Sequence, residues 1–271
     1  MTEIRTDFFD PKSIALSGQC FRWTETEDGG FRVPAFGKLL TIHKVGDRTF
    51  ELGCDSREFD EIWRDYLDLS GDYEKAAKAV LSSDDDYLKG AFKIGEGIRI
   101  LRQDLWETVV SFLISQNNNI PRIKKSIEAL CNEFGEEIGD GIFSFPSAER
   151  LAENSALLSD KRFGLGYRDA YIREISEYVC EDPGWLESLK NMDRDEAYAE
   201  LIKRTGIGPK VANCICLFGL HHIDAFPVDT HVRQILDAHY PEGFDFERYK
   251  GFAGVVQQYM FFAKQQGYDG R

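Results

Sequence analysis

The hydrophobic period of this chain changes once, and that change limits what the chain can fold into. Through residue 98, apolar positions alternate with polar ones: Phe21 and Trp23, Leu40 and Ile42, Phe50 and Leu52. Alternation sends successive side chains to opposite faces, as in a half-buried strand. Asp28-Gly29-Gly30 supplies a turn, and Val45-Gly46-Asp47-Arg48 reads as a two-residue hairpin with glycine in the first central position. A helix is expected over 58–69 and a polar connection over 82–86. From about Leu101 the spacing becomes three and four. Trp106, Val109, Val110 and Leu113 share one helical face, with Asp104 placed to cap and Glu107 placed to complete a capping box. The expected fold class is α+β: an antiparallel sheet domain over 1–98, then an all-helical region over 99–271.

Hydrophobic residues at 42% and charged residues at 30% are the balance of a globular chain. A chain of 271 residues can bury a core without disulfide staples. The six cysteines, at 20, 54, 131, 180, 214 and 216, form no Cys-x-x-Cys pair. Cys214 and Cys216 point to different faces of a helix, and no cysteine follows them to complete a four-thiolate cluster. Reduced thiols are expected, with no metal and no cofactor. No apolar run approaches the roughly 18 residues that cross a bilayer, and the first residues do not read as a signal peptide. A monomer inside the cell, away from membranes, is expected: cytoplasm and nucleoid in a prokaryote, nucleus in a eukaryote. With 33 Lys+Arg against 47 Asp+Glu the formal charge is −14, which opposes any broad electrostatic grip on nucleic acid.

The segment from Leu201 to Ala212 qualifies that objection. Tyr198, Leu201 and Ile202 close one helix, Gly206 and Gly208 permit a tight hairpin, and Pro209 suits the first turn of the next. A glycine hairpin opening a helix presents unpaired N–H groups that bind phosphate without basic side chains. Lys210 lies in that first turn, where the helix dipole and burial both disfavour its charge, so it is either a nucleophilic amine or a surface lysine. In Phe226-Pro227-Val228-Asp229-Thr230-His231, Asp229 is either a helix cap or a carboxylate that stabilises a cationic sugar.

Taken together, Gly206-Ile207-Gly208-Pro209-Lys210-Val211-Ala212-Asn213-Cys214 and Pro227-Val228-Asp229-Thr230-His231 resemble the helix–hairpin–helix Gly/Pro–Asp motif of a DNA glycosylase superfamily. The hairpin unit would span about 193–220. Within the superfamily the chain is most similar to 8-oxoguanine DNA glycosylases of the eukaryotic type. That likeness runs from Ser17-Gly18-Gln19-Cys20-Phe21-Arg22-Trp23 to Gln257-Gln258-Tyr259-Met260-Phe261.

The resemblance implies a bifunctional glycosylase and abasic-site lyase acting on double-stranded DNA that contains an oxidised purine. Lys210 would attack the anomeric carbon and Asp229 would assist departure of the base. The damaged nucleotide is flipped from the stack to reach them. The Gly18 carbonyl would accept the N7 proton that oxidised guanine carries and guanine lacks. Gln257 and Phe261, four apart and so on one helix face, would bond the Watson–Crick edge and stack on the ring, with Cys214 on the opposite side. Without the resemblance, Cys214 and Phe261 read as core residues and Gln257 as a surface residue. Asn117 would fill the gap left in the duplex, Tyr167 would wedge the stack, and Arg122 and Arg168 would read the opposite cytosine. Gly206, Gly208 and His231 would meet the DNA backbone. Arg122, Lys124, Lys125, Arg162, Arg168 and Arg173 would supply local positive charge. The competing readings are a sister glycosylase for another base, a non-catalytic DNA-binding module, and an acidic protein-interaction domain.

Overall fold

Five strands within residues 2–52 form one antiparallel sheet in this computed structural model, which describes residues 1–270. They are β1 (Thr2–Arg5), β2 (Thr24–Glu25), β3 (Phe31–Ala35), β4 (Lys38–Lys44) and β5 (Thr49–Leu52), in the order β1-β5-β4-β3-β2. The short helix α1 (Pro11–Leu16) follows β1, with Pro11 at its start and Asp10 as its cap. Leu40, Ile42, Phe50 and Leu52 point to one face, as their alternation requires, and Ile42 pairs with Leu52.

Phe21 and Trp23 depart from the expected alternation, because pairing starts only at Thr24. Both are buried in irregular chain, but in different cores. Trp23 stays under the sheet and donates to Tyr66 Oη at 2.8 Å, whereas Phe21 packs edge-on to Phe112 of the helical region. The β4–β5 connection also differs. Val45 and Gly46 both donate to the Thr49 carbonyl, and Gly46 does not adopt positive φ, so this is a wider loop than the glycine-first turn.

The helix expected over 58–69 is composite: α2 (Ser56–Glu58), a π-helical stretch (Phe59–Trp63) and α3 (Arg64–Tyr66). It stops before Asp68, whose φ of +46° is left-handed and cannot continue a helix. Beyond it run α4 (Tyr73–Leu81), α5 (Asp86–Gly95), α6 (Leu105–Ser115) and α7 (Ile120–Phe134). A small hairpin, β6 (Glu137–Gly139) and β7 (Ile142–Phe143), interrupts the helices. Then come α8 (Ala148–Glu153), α9 (Arg168–Glu181), α10 (Trp185–Lys190), α11 (Arg194–Leu201), α12 (Pro209–Phe218), α13 (Thr230–His239) and α14 (Ala253–Gln265).

Two hydrophobic clusters hold these elements, and their division in space crosses residue 98. One lies under the sheet, where Val33, Leu40, Ile42, Phe50 and Leu52 meet Trp63 and Tyr66. The other contains α4 and α5 together with every later core helix, and α5 packs closely on α14. Residues 253–260 of α14 are all buried, so this helix runs through the middle of the region.

The clusters are joined by buried charge that is fully engaged. The Arg99 guanidinium donates to the carbonyls of Phe8 and Asp68 at 2.9 and 2.6 Å and to Asp7 at 2.7 Å. Asp68 accepts from Tyr73 Oη at 2.7 Å and Arg102 Nε at 3.1 Å, and lies 3.5 Å from His221 of the helical region. Burial alone would raise the Asp68 carboxyl, but the hydrogen bonds from His221 and Tyr73 and their charged neighbours outweigh it and hold it at about 2.

Candidate active site and nucleic-acid interface

A cavity of about 960 Å³ opens where the α6–α7 connection, the first turns of α12 and α13, α14 and the Gly18 loop converge. Its reactive wall grows from the hairpin between α11 and α12. Gly206 has φ +82° and lies against Tyr171, where an added Cβ would fall 2.6 Å from the ring, so no other residue fits without displacement. Gly208 is exposed and extended, and caps α12 with no side-chain bond, which leaves the first-turn amides open to an anion. Pro209 follows at the first helical position and Lys210 at the second.

Lys210 is half-buried. Its Nζ sits 5.1 Å above the Phe112 ring centre and donates to Ser115 Oγ at 3.4 Å. Phe112 and Ser115, three apart on α6, thus form the floor beneath the amine. Cys214 stands one turn beyond Lys210 and is buried, and that burial raises its thiol, against the pull of the nearby Lys210 charge. Asp229 lines the same cavity and caps α13, accepting from the Val232 amide at 2.9 Å. The capping role therefore does not exclude the chemical one: a single carboxylate terminates the helix and faces the lysine's cavity.

The opposite wall is assembled from distant segments. Gly18 has φ +72°, and a Cβ there would lie 2.9 Å from the Phe261 ring. Both conditions demand glycine. The neighbouring Gln19 is fully buried, and its amide joins Ser17 Oγ, the Arg99 carbonyl and the Leu101 amide, pinning the loop to the strand-to-helix junction. Phe261 faces the cavity with the exposed His231 ring edge-on at 6.1 Å.

Gln257 is not a surface residue. It is 3% exposed, because α14 is central, and its Nε2 donates to the Pro227 carbonyl at 2.9 Å. Its Oε1 accepts from Gln258 Nε2 at 3.1 Å.

The α6–α7 connection carries the remaining sequence candidates. Asn117 is exposed with φ +46°, and its amide donates to Tyr167 Oη at 3.3 Å. Tyr167 is half exposed, under the Arg168 guanidinium at 4.6 Å. Arg168 is buried and donates to the carbonyls of Leu165, Gln116 and Asn117, so it braces the Asn117 loop. Arg122 is exposed in the first turn of α7, where Asn119 is the cap.

The expected basic patch is thinner than the sequence suggests. Arg162 pairs with Glu133 at 2.9 Å, Arg173 lies 3.9 Å from Asp169, and Arg168 is committed to carbonyls. Among the described residues of that patch, Arg122 and Lys125 remain as exposed cations outside ion pairs, because carboxylates reach Arg162 and Arg173 while backbone carbonyls engage Arg168 and Lys124. Glu107 likewise does not complete a capping box. Asp104 does cap α6, but the Glu107 carboxylate reaches Arg22 at 3.1 Å, across the Phe21 loop. Residues the sequence did not single out include Phe112, Gln258, and Arg233 on the α13 rim. Ser115 stands in the Ser-Gln-Asn-Asn-Asn run, and only the packing of α6 on α12 puts Phe112 beneath Lys210.

A glycine hairpin leading a helix with Lys210 in its first turn, facing a helix capped by Asp229, is the arrangement of the HhH-GPD superfamily. The family described by that name matches residues 110–243, and the family described as 8-oxoguanine DNA glycosylase, N-terminal domain, matches residues 2–109. A Clostridium acetobutylicum 8-oxoguanine glycosylase/lyase, solved with duplex DNA containing cytosine opposite 8-oxoG, is 35% identical with a TM-score of 0.87, covering 97% of this chain and 94% of that one. The probable N-glycosylase/DNA lyase of Methanothermobacter thermautotrophicus is 33% identical over 66% of this chain and 67% of its own length. The chain belongs to the 8-oxoguanine DNA glycosylase family. It is also 38% identical to the N-glycosylase/DNA lyase of Saccharomyces cerevisiae, over 54% of this chain and 42% of the yeast protein. It spans less than half the length of that relative.

Proposed function

We propose that the protein excises 8-oxoguanine opposite cytosine in duplex DNA and then cleaves the abasic strand. The observation that carries this reading is that Lys210 and Asp229, from two successive helices, line one cavity with Gly18 and Phe261. The Lys210 amine attacks C1′ of the flipped nucleotide, the bond from C1′ to N9 breaks, and the base leaves with the proton that the amine gives up. The Asp229 carboxylate offsets the positive charge that develops on the sugar. The bond from C1′ to O4′ then breaks as O4′ takes up a proton, which opens the sugar and leaves a Schiff base between Nζ and C1′, and loss of a C2′ proton expels the 3′ phosphate. This chemistry needs no cofactor.

The flipped base enters between Phe261 and the Cys214 side of α12, with the Gly18 carbonyl at its N7 proton. Asn117 and Tyr167 enter the gap in the duplex, and Arg122 and Arg168 meet the cytosine acceptors, Arg168 exchanging carbonyl bonds to do so. The open amides after Gly206 and Gly208, with His231, take the backbone phosphates. A monomer is sufficient, since all these groups come from one chain. No described helix is long and apolar enough to cross a membrane.

The test is borohydride trapping on a labelled duplex with one 8-oxoguanine opposite cytosine. A covalent band should form with wild type and not with Lys210→Gln or with undamaged duplex. Binding without any band from wild type would overturn the lyase assignment.

A further inference from the structure

Telling one oxidised purine from another requires more of Gln257 than its place beside the pocket, where it meets the Pro227 carbonyl next to the cavity-lining Val228 and Asp229. 8-Oxoguanine and 8-oxoadenine both carry an oxygen at C8 and a proton on N7. A carbonyl at Gly18 accepts from either. They differ at the other edge, where the guanine type donates from N1 and N2 and the adenine type donates from N6 and accepts at N1. A glutamine amide is nearly symmetric in shape but opposite in chemistry at its two ends, so half a turn exchanges acceptor for donor. Gln257 separates these bases only if its amide is held one way round.

Two contacts hold it. Nε2 donates to the Pro227 carbonyl at 2.9 Å, a partner that can only accept. Oε1 accepts from Gln258 Nε2 at 3.1 Å. A reversed amide would set oxygen against the Pro227 oxygen and nitrogen against the Gln258 nitrogen, so both pairings would become repulsive. Gln258 is 2% exposed, and its own Oε1 is buried with no hydrogen-bond partner among the described residues. An apolar side chain of the same length would bury no such orphan. Among the described residues, the one hydrogen bond that the Gln258 side chain makes is the bond to Gln257.

We propose that Gln258 is a positioning residue that fixes the orientation of the Gln257 amide and so sets the preference for 8-oxoguanine over 8-oxoadenine. This role rests on the proposed function, in which Gln257 meets the flipped base. With one lone pair taken by Gln258, Gln257 Oε1 keeps a second for a base edge that donates.

The test compares base release from duplexes carrying one 8-oxoguanine or one 8-oxoadenine, each opposite cytosine, at enzyme excess. Cleavage of a preformed abasic site opposite cytosine, where no base is read, reports that the reaction machinery is intact. Gln258→Met removes the donor at similar length, and Gln258→Glu puts an acceptor in its place. The preference should fall about tenfold in the first, the worth of one oriented hydrogen bond, and further in the second, while abasic cleavage stays at the wild-type rate. A wild-type preference in either variant that still cleaves abasic DNA would overturn the proposal. Loss of abasic cleavage in both would also overturn it, by making Gln258 a folding residue. Gln257→Met separates the two levels. If that variant keeps the wild-type preference, the assignment of Gln257 to the base edge fails; if it loses the preference and the Gln258 variants do not, only the role of Gln258 fails.

Discussion

The two walls of the cavity are built by different means. The reactive wall comes from a stretch of 24 residues, Gly206 to Asp229, and each group in it is held by its own helix start: Lys210 by the hairpin and Pro209, Asp229 by its bond to the Val232 amide. The other wall, the reading wall of the proposed function, gathers Gly18, Asn117 and Phe261 from three separate parts of the chain, with Gln257 buried next to it against the Pro227 carbonyl. It is held by side-chain amides in the interior, Gln19 behind Gly18 and Gln258 behind Gln257. A local turn can carry chemistry, because a nucleophile needs one bond direction. Selecting among bases needs several groups fixed relative to one another, and that takes a packed frame.

The contrast can be broken most directly at Asp229. Asparagine caps a helix as well as aspartate does but carries no charge. Asp229→Asn should lower base release by about 10²–10³-fold while the melting temperature stays at the wild-type value. A lower melting temperature with normal release would reduce Asp229 to a cap. Gly18→Ala attacks the reading wall instead. Positive φ costs an alanine about 1–2 kcal/mol, and the Phe261 ring must also move, so 8-oxoguanine release should fall roughly fiftyfold while cleavage of a preformed abasic site is unchanged. Equal losses on both substrates would mean that the walls are not separable.

The smallest effect concerns the junction that keeps the walls in register. The Asp68 carboxyl is held at about 2 against an ordinary value of 3.8, so its ionised form stabilises the fold above pH 3.8 and loses that contribution as pH falls through 2. Asp68→Asn should therefore be about 2 kcal/mol less stable than wild type in denaturant unfolding at pH 5–7, with the difference narrowing toward pH 2. A difference independent of pH would show that shape, and not charge, is what Asp68 contributes.

Much of the fold is legible in short-range patterns. The alternation at Leu40, Ile42, Phe50 and Leu52 marks the sheet, the three-four spacing after Asp104 marks α6, and Gly206 to Pro209 marks the hairpin. Elsewhere the same kind of pattern misleads. Phe21 and Trp23 alternate yet belong to two different cores, and the β6–β7 hairpin is too short for its period to stand out. At the site, Lys210 and Asp229 stand out because glycine, proline and a capping carboxylate act within four residues of where they lie. Phe112 and Gln258 do not, since nothing beside them in the chain distinguishes them from ordinary core or surface.

What the sequence by itself determined is therefore local: where helices such as α6 and α12 start, and which lysine and aspartate stand at helix starts. These depend on backbone sterics and on bonds spanning three or four residues. The tertiary structure alone decided that Gln257 is interior, that its amide faces one way, that Glu107 turns to Arg22 and that Arg168 braces the Asn117 loop. Each of these depends on which surface arrives opposite, and a buried polar group takes the partner that packing brings to it.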